Sequence, residues 1–381
     1  MLSYAAEMRR KFHMCPEVGF DLDETLALLR AELDAMGVAY TEKYGKSSIV
    51  ATVNEEKSRF TIGIRADIDA LPMNEENDVP YKSRNKGRMH ACGHDAHCAV
   101  ALATLAEIHK MRDKINCRVK FIFQSAEEYT TSGARLMAED GVMDDIDCIA
   151  ALHCDPIYNV GQVGFSAGAQ GAISDGFLLE FFGKSTHAAF QQGGVDAIMM
   201  AMRAYSDIEF MIAKELPAVT PVIFNAGKIE GGASNNIIAD YCKIYCTLRT
   251  HSEDVEEKAL RRIREICEYT AKSAGGSAKF THIKHYPIVY NDEEITEKMR
   301  ACAAKVVGAE NVLPKIRTMG GEDFSYFTMR RPGCMMRLGV TTPGKPVTGL
   351  HQTTFDIDES ALDIGVRIFK TFILDNMNGN I

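Results

Sequence analysis

The 381-residue sequence lacks any apolar run that approaches the roughly 18–20 residues needed to span a bilayer. It also lacks a basic balance, because its net charge is −9 and binding to nucleic-acid phosphates needs a basic face. The N-terminus lacks the charged-then-apolar order of a secretion signal, and there is no internal repeat or low-complexity segment. We therefore expect a folded chain of two domains with neither a membrane nor a nucleic-acid partner.

A disulfide framework is also not expected. The chain has 11 cysteines, but they are scattered, odd in number and unaccompanied by an export signal. Such usage is typical of thiols kept reduced, which predicts a cytoplasmic location and buried, unpaired cysteines.

The first part of the chain alternates short apolar runs with helical patterns, which predicts an α/β domain built on a mostly parallel sheet. Strands are predicted at 47–53, 60–65, 119–124 and 147–153, and helices at 94–111 and around 131–139. We expect the first two strands to be neighbours. Polar residues follow the strands, and ligands of open α/β sheets gather at their carboxyl ends.

A second unit is predicted between two linker-like joints. Its order of strand, helix, two strands, helix and strand is that of a ferredoxin-like α+β sandwich. After Pro287 the chain resumes the pattern of the first domain. We therefore predict one α/β domain formed by residues 1–172 and 286–381, with an inserted α+β domain at 173–285.

The densest cluster of chemically capable residues is Met89–His97, just before a predicted helix. Cys92 and His94 would converge on one cation if the chain turned at Gly93, which glycine permits. Asp95 would then cap the helix or orient a ligating histidine. The alternative is a capped helix start with a buried thiol and surface histidines.

Two more strands end in groups of the same chemistry. The strand at 119–124 runs into Glu127 and Glu128, and the strand at 147–153 delivers His153 at its carboxyl end. Adjacent carboxylates repel, so one glutamate would bind metal while the other accepts a proton from water. A solvated acidic turn is the alternative. His351, in the returning segment, adds a weaker candidate for the same cluster.

With these motifs in place, the chain resembles the dinuclear-metal peptidase and aminoacylase superfamily, in the branch of hippurate hydrolase and plant auxin-conjugate hydrolases. Residues 13–20 resemble that family's N-terminal segment, with Cys15 in place of its second histidine. The other matching strings span nearly the whole chain: 65–72 (RADIDALP), 89–97 (MHACGHDAH), 127–128 (EE), 151–153 (ALH), 185–189 (STHAA), 231–240, 319–324 (MGGEDF) and 349–355 (GLHQTTF).

The resemblance implies a hydrolase with two divalent metal ions, of which zinc or manganese is favoured and cobalt or nickel is compatible with the ligand types. It implies Glu127 as the general base and Cys92 as the ligand shared by both ions. Asp67, His90 and His97 are left outside the ligand set, with indirect roles. The implied metal ligands are Cys92, His94, Glu128, His153 and His351.

The resemblance also implies roles for the inserted domain, as a lid and dimerisation domain. His187 would reach the active site of a partner subunit and bind the carbonyl oxygen, so a homodimer or higher oligomer is expected. Asn236 and Arg249 would hold the substrate carboxylate, and the planar fork of arginine suits that task. Ala239 stands where relatives usually have proline.

We therefore predict metal-dependent hydrolysis of the amide bond of a small N-acyl amino acid, releasing a carboxylic acid and a free amino acid. Narrower alternatives within the same resemblance are N-acetyl-diaminopimelate deacetylase and a dipeptidase or aminobenzoyl-glutamate hydrolase. A different class is a metal-holding interaction protein without catalysis. Glu127 argues against it, because a purely structural metal site has no use for a spare carboxylate.

Overall fold

The computed structural model describes residues 2–57, 59–129, 131–314 and 317–379. The chain forms two compact units: unit 1 comprises Met1–Gln170, Tyr290–Ile316 and Asp323–Ile381, and unit 2 comprises Gly171–Val289 and Arg317–Glu322. No helix in the described residues is both long enough and apolar enough to cross a membrane. All eleven cysteines are buried free thiols.

The helices of the described chain follow the predicted periodicity closely. The helix predicted at 94–111 ends one residue earlier, and that predicted around 131–139 begins two residues later. Their bounds are α1 Tyr4–Met14, α2 Asp23–Met36, α3 His94–Lys110, α4 Gly133–Glu139, α5 Ala197–Glu215, α6 Glu253–Ser273, α7 Glu293–Val307, α8 Ser325–Thr328 and α9 Ser360–Asn376.

The strands are shorter than most of the helices, and several have only two or three residues. Their bounds are β1 Ala39–Thr41, β2 Ile49–Val53, β3 Thr61–Asp67, β4 Arg118–Gln124, β5 Cys148–Asn159, β6 Val163–Phe165, β7 Gly168–Ala169, β8 Ile173–Phe182, β9 Thr186–His187, β10 Val222–Gly231, β11 Ile237–Ile238, β12 Tyr241–Thr250, β13 Ser277–Tyr286, β14 Tyr290–Asn291, β15 Val312–Pro314 and β16 Gly333–Thr341.

Unit 1 is built on an eight-stranded sheet in the order β1-β2-β4-β3-β5-β16-β6-β15. The central pairs β4-β3, β3-β5 and β5-β16 are parallel, as is β6-β15. Strands β3 and β4 are buried along their whole length, as expected for central strands of a sheet covered on both faces. Helices α1, α3, α7 and α9 contribute apolar side chains to the same core.

The prediction that the first two strands are neighbours is wrong. Strand β4 lies between β2 and β3, pairing antiparallel with β2 and parallel with β3. Strand β3 also pairs in parallel with β5, so its two edges are taken by the parallel strands β4 and β5.

Unit 2 has the predicted ferredoxin-like order. Its four-stranded antiparallel sheet runs β10-β12-β8-β13, and α5 and α6 supply the apolar side chains that pack against it. Strand β12 alternates between buried and half-buried residues, the pattern of a sheet covered on one face. Strands β9 and β11 form a separate, short antiparallel pair.

Candidate metal centre

The candidate centre is assembled in unit 1 from the residues that follow β3 and β4, from β5 and from the start of α3. Glu127 and Glu128 come three and four residues after the end of β4, and His94 is the first residue of α3. The sequence predicts His153 at the carboxyl end of its strand, but in the structure it lies inside β5. The strand continues to Asn159 because β16 pairs with it beyond His153, as far as Thr341↔Asn159.

The thiol of Cys92 lies at the middle of the predicted ligands. Its Sγ atom is 3.5 Å from the Nε2 atom of His153 and 3.4 Å from the Nε2 atom of His351. The same His351 nitrogen is 3.0 Å from Oε1 of Glu128. Two triads, Cys92–His94–His153 and Cys92–Glu128–His351, each hold their ligand atoms within 4.8 Å of one another. The structure thus brings all five predicted ligands together, with Cys92 in both triads.

Two of the imidazoles have their Nδ1 atoms engaged by backbone carbonyls. His94 Nδ1 lies 2.9 Å from the carbonyl oxygen of Asp69, and His153 Nδ1 lies 2.7 Å from that of Cys154. A carbonyl only accepts, so each Nδ1–H donates, which leaves Nε2 as the nitrogen that can bind a metal in place of a proton. His94 Nε2 is buried without a hydrogen-bond partner in the described structure. These nitrogens fit metal ligation.

The electrostatics of the centre also suit a cation. Burial raises the pKa of the Cys92 thiol well above its usual value, and the nearby His94 only partly offsets this. Burial opposes charge on His94, but Asp67 and Cys92 outweigh it and raise the pKa of that imidazole well above its usual value. A thiolate here therefore needs additional positive charge, which a divalent cation supplies.

The turn that carries the two glutamates is held by one carboxylate. Asp69 accepts hydrogen bonds from the backbone N–H of Glu127 at 3.0 Å and of Glu128 at 3.1 Å. Ala126, just before them, has a φ of 53°, which is rare for a residue with a Cβ. Glu127 is buried, and its carboxylate lies within 4.8 Å of the ligand atoms of His94 and Glu128. Sequence reasoning left Asp69 without a role, since nothing in its pattern shows which amides it meets.

His351 also has an unusual backbone. Its φ is 61°, and its N–H donates to the carbonyl of Ala91 at 2.8 Å, so the returning segment is tied to the residue before Cys92. Gly93, with a φ of 85°, turns the chain between Cys92 and His94 as expected. Gly93 and His351, both in the left-handed backbone region, therefore direct ligands toward the same cluster.

The roles predicted for Asp95 are wrong. Its side chain makes no cap hydrogen bond to α3, whose N-cap is Gly93. It lies 2.7 Å from the Nε atom of Arg9 and 2.7 Å from Nδ1 of His13 instead. The reason is charge compensation, because a fully buried guanidinium needs a carboxylate partner more than a helix needs a cap.

The predicted substrate residues lie in unit 2. His187 is exposed, and its Nδ1 accepts a hydrogen bond from the backbone N–H of Ala189 at 3.1 Å. Asn236 lies on the adjoining segment, because its carbonyl accepts from Ala188 N–H at 2.9 Å. Arg249 is on β12, and its Nη1 donates to the carbonyl of Met319 at 2.7 Å. The rest of its guanidinium fork keeps donors for another acceptor.

Over most of its length the chain is similar to several known proteins. The model of peptidase family M20/M25/M40 matches residues 63–375. An N-acetyldiaminopimelate deacetylase of Anoxybacillus flavithermus is 32% identical, over 96% of this chain and 96% of that protein. An N-acetyl-L-cysteine deacetylase of Bacillus subtilis is 33% identical, over 93% of this chain and 84% of that protein. A Bacillus subtilis structure described as a dinuclear metal binding peptidase from the M20 family superposes with a TM-score of 0.82 at 27% identity, covering 98% of each chain.

The α/β fold and a thiol, three imidazoles and two carboxylates around one point define a metal-dependent amide hydrolase. The family match covers most of the sequence, so the chain belongs to peptidase family M20/M25/M40.

Proposed function

We propose that this protein hydrolyses the amide bond of small N-acyl amino acids, releasing a carboxylic acid and a free amino acid. The observation that carries the proposal is the position of Glu127, a buried carboxylate beside His94 and Glu128. It belongs to neither of the two triads that share Cys92. A carboxylate beside the metal ligands but outside both triads is what a hydrolytic site requires and a structural metal site does not.

We assign Cys92, His94, Glu128, His153 and His351 as the ligands of two divalent cations. The mixture of sulfur, nitrogen and oxygen donors favours zinc or manganese, and it also accepts cobalt or nickel. Bound there, such ions supply Lewis-acid polarisation of the amide carbonyl and lower the pKa of water.

Glu127 acts as the general base. It takes a proton from the attacking water and passes it to the leaving nitrogen as the amide bond breaks, so that it is unprotonated again after each turnover. The hydrogen bond from the Glu127 amide to Asp69 fixes the backbone from which this carboxylate extends. A base held in place needs no reorganisation when the proton moves.

In this proposal unit 2 serves as lid and dimerisation domain. His187, contributed by a partner subunit, hydrogen-bonds the carbonyl oxygen as negative charge develops there, an interaction worth roughly 2.7–4 kcal/mol in other hydrolases. Arg249 and Asn236 hold the carboxylate of the amino acid. Support comes from the exposure of His187 and from the donors that Arg249 retains beyond its bond to Met319.

The surface of α5 supports a homodimer or higher oligomer. Three of its apolar side chains are largely exposed: Met199 at 52%, Met202 at 61% and Phe210 at 67%. Their spacing along the helix places them on one face, and exposed apolar side chains grouped in this way mark surfaces that another protein covers. The eleven reduced, buried cysteines support a cytoplasmic location.

A narrower substrate remains a second candidate. The 32% identical relative named N-acetyldiaminopimelate deacetylase supports an acetylated diamino acid as this candidate, whereas the 33% identical relative named N-acetyl-L-cysteine deacetylase supports a different N-acyl amino acid. Both substrates present an amide and a carboxylate, so the same side chains would serve either.

The test is a hydrolysis screen on purified protein that has been stripped with a chelator and reloaded separately with zinc and with manganese. The panel contains N-acetyl and N-benzoyl amino acids, N-acetyl-diaminopimelate, aminobenzoyl-glutamate and dipeptides. We expect metal-dependent release of free amino acid from N-acyl amino acids, in preference to the last two classes. Metal uptake without hydrolysis of any panel member would support a metal-holding interaction protein instead.

A further inference from the structure

His97 lies one helical turn after His94, with both ring nitrogens engaged by protein groups. Its Nδ1 is 2.6 Å from Oδ1 of Asp67, and its Nε2 is 2.8 Å from the backbone nitrogen of Cys154. We propose that His97 is a positioning residue that holds the His153–Cys154 peptide so that the imidazole of His153 faces Cys92. The inference rests on the proposed function, because it concerns how one of the assigned ligands is aimed.

The direction of each hydrogen bond follows from the backbone. The N–H of Cys154 can only donate, so His97 Nε2 accepts and the ring proton is on Nδ1, from which it is donated to Asp67. Asp67 is itself held by Arg65, whose Nη1 donates to its other oxygen at 2.9 Å. Since neither nitrogen of His97 has a lone pair left, the grouping of Asp67, His94 and His97 is not a further metal site, although their ligand atoms lie close together.

The geometry shows why this contact reaches the ligand. The bonded amide belongs to the residue directly after His153, and His153 Nδ1 donates to the carbonyl of that same Cys154 at 2.7 Å. The rings of His97 and His153 are 4.8 Å apart. The Cys154 side chain fills the space beside Gly93, where an added Cβ would lie 3.0 Å from the Cys154 Cβ. His97 therefore joins the turn that carries Cys92 and His94 to the strand that carries His153.

A purely structural histidine would have different consequences. If His97 only satisfied buried polar groups, its replacement would lower the stability of the fold and would not change the metal affinity of either site. If His97 aims His153, its replacement lowers the affinity for the ion held by Cys92, His94 and His153. The affinity for the ion held by Cys92, Glu128 and His351 then stays unchanged. The two sites can be told apart in this way because only the first triad contains His153.

A pair of conservative variants separates the two hydrogen bonds. In His97→Gln the amide oxygen takes the place of Nε2 and still accepts from Cys154. In His97→Asn the shorter amide reaches Asp67 and leaves the Cys154 N–H without its acceptor. We expect His97→Asn to bind one of two zinc ions about 10- to 100-fold more weakly by chelator competition, as for other residues that orient metal ligands. His97→Gln should stay within a few-fold of wild type.

Thr104→Val provides the control on the same helix, since the Thr104 hydroxyl is buried and donates only to Val100 O, at 2.8 Å. It should lower the melting temperature without changing either zinc affinity. Cobalt loading adds a second readout: the visible spectrum of His97→Asn should change and that of Thr104→Val should not.

Equal zinc affinities and cobalt spectra for wild type, His97→Asn and His97→Gln would overturn the inference. A second measurement needs no variant: nitrogen NMR of the zinc-loaded protein should show His97 protonated at Nδ1 and unprotonated at Nε2. A proton on Nε2 would also overturn the inference. Because this measurement uses the wild-type protein, it tests the inference even if His97→Asn fails to fold. If wild type itself binds no zinc, the proposed function fails, which is a separate result.

Discussion

Asp69, two residues beyond the end of β3, holds the backbone of Glu127, because its Oδ1 accepts the Glu127 N–H at 3.0 Å. Its other oxygen accepts the next amide, that of Glu128, at 3.1 Å. One buried carboxylate therefore fixes the backbone of both the proposed base and a proposed ligand. The carbonyl of the same residue accepts from His94. Asp69 thus contacts three functional residues without needing to bind metal.

Asp69→Asn tests this arrangement. The amide oxygen can accept from one of the two backbone N–H groups, while its NH2 group faces the other donor. We expect kcat to fall about tenfold or more, as for other groups that orient metal ligands, and the free energy of unfolding to fall by about 1–3 kcal/mol for an unsatisfied buried donor. Steady-state kinetics and urea unfolding measure the two effects. Unchanged kcat with unchanged stability would contradict the role.

Glu127→Gln tests the general base. The substitution keeps the size of the side chain but removes the proton acceptor, so kcat should fall roughly 10²–10⁴-fold. Metal content by elemental analysis should stay at the wild-type value, because Glu127 lies outside both triads. Glu139→Gln is the matched control, on the exposed end of α4, and should retain wild-type turnover. Full activity in Glu127→Gln would show that another group is the base.

His13 predicts a pH dependence of stability. Burial disfavours its charged form, but the charge of Asp95 and hydrogen bonds to Asp95 and Glu75 outweigh this and raise the pKa of His13 to about 9. A raised folded-state pKa means that the charged imidazole stabilises the fold fully below pH 6.5, and that this contribution is lost as the pH rises to about 9. The full contribution is on the order of 3 kcal/mol.

The measurement is urea unfolding of wild type and His13→Gln at several pH values. The difference between their free energies of unfolding should be large at pH ~6 and small at pH ~9.5. His109→Gln is the control, because burial lowers the pKa of His109 and should give no such loss on the alkaline side. A difference for His13→Gln that does not shrink as the pH rises would contradict the charged pairing.

Met202→Asp tests the proposed oligomer. Met202 is on α5 and 61% exposed, and a charge in an apolar interface must be desolvated. We expect the dissociation constant of the oligomer to rise about tenfold or more by analytical ultracentrifugation. Met329→Asp, at a 66% exposed position of unit 1, should leave assembly unchanged. A monomeric wild type would rule out the partner role of His187.

Much of the fold could be predicted from local patterns. The helix at His94–Lys110 follows from its apolar spacing, and the order of strands and helices in unit 2 matches the predicted order. The insertion of β4 between β2 and β3 could not be predicted, because strand order depends on pairing between segments far apart in sequence. The continuation of β5 past His153 has the same cause, since β16 provides the partner for the extra residues.

The candidate site divides in the same way. Cys92, the Glu127–Glu128 pair and His153 were predicted because each has ligand chemistry next to a recognisable element, and the family resemblance assigned the ligand role to Glu128. The positive φ of Ala126 and His351 carried no residue-type signal, since neither glycine nor asparagine is present there. Asp95 was misassigned because its partner, Arg9, is 86 residues away in sequence and only the fold brings the two together.

The most direct test of the account is the metal content of Cys92→Ala, because Cys92 is the one residue common to both of its triads. Wild type loaded with zinc and passed over a desalting column should contain about two ions per chain, as two triads require. Cys98→Ala, which removes a buried thiol from α3, should also contain about two, and Cys92→Ala should contain far less than one. A Cys92→Ala protein that retains both ions would contradict the shared-ligand centre on which the proposed hydrolysis depends.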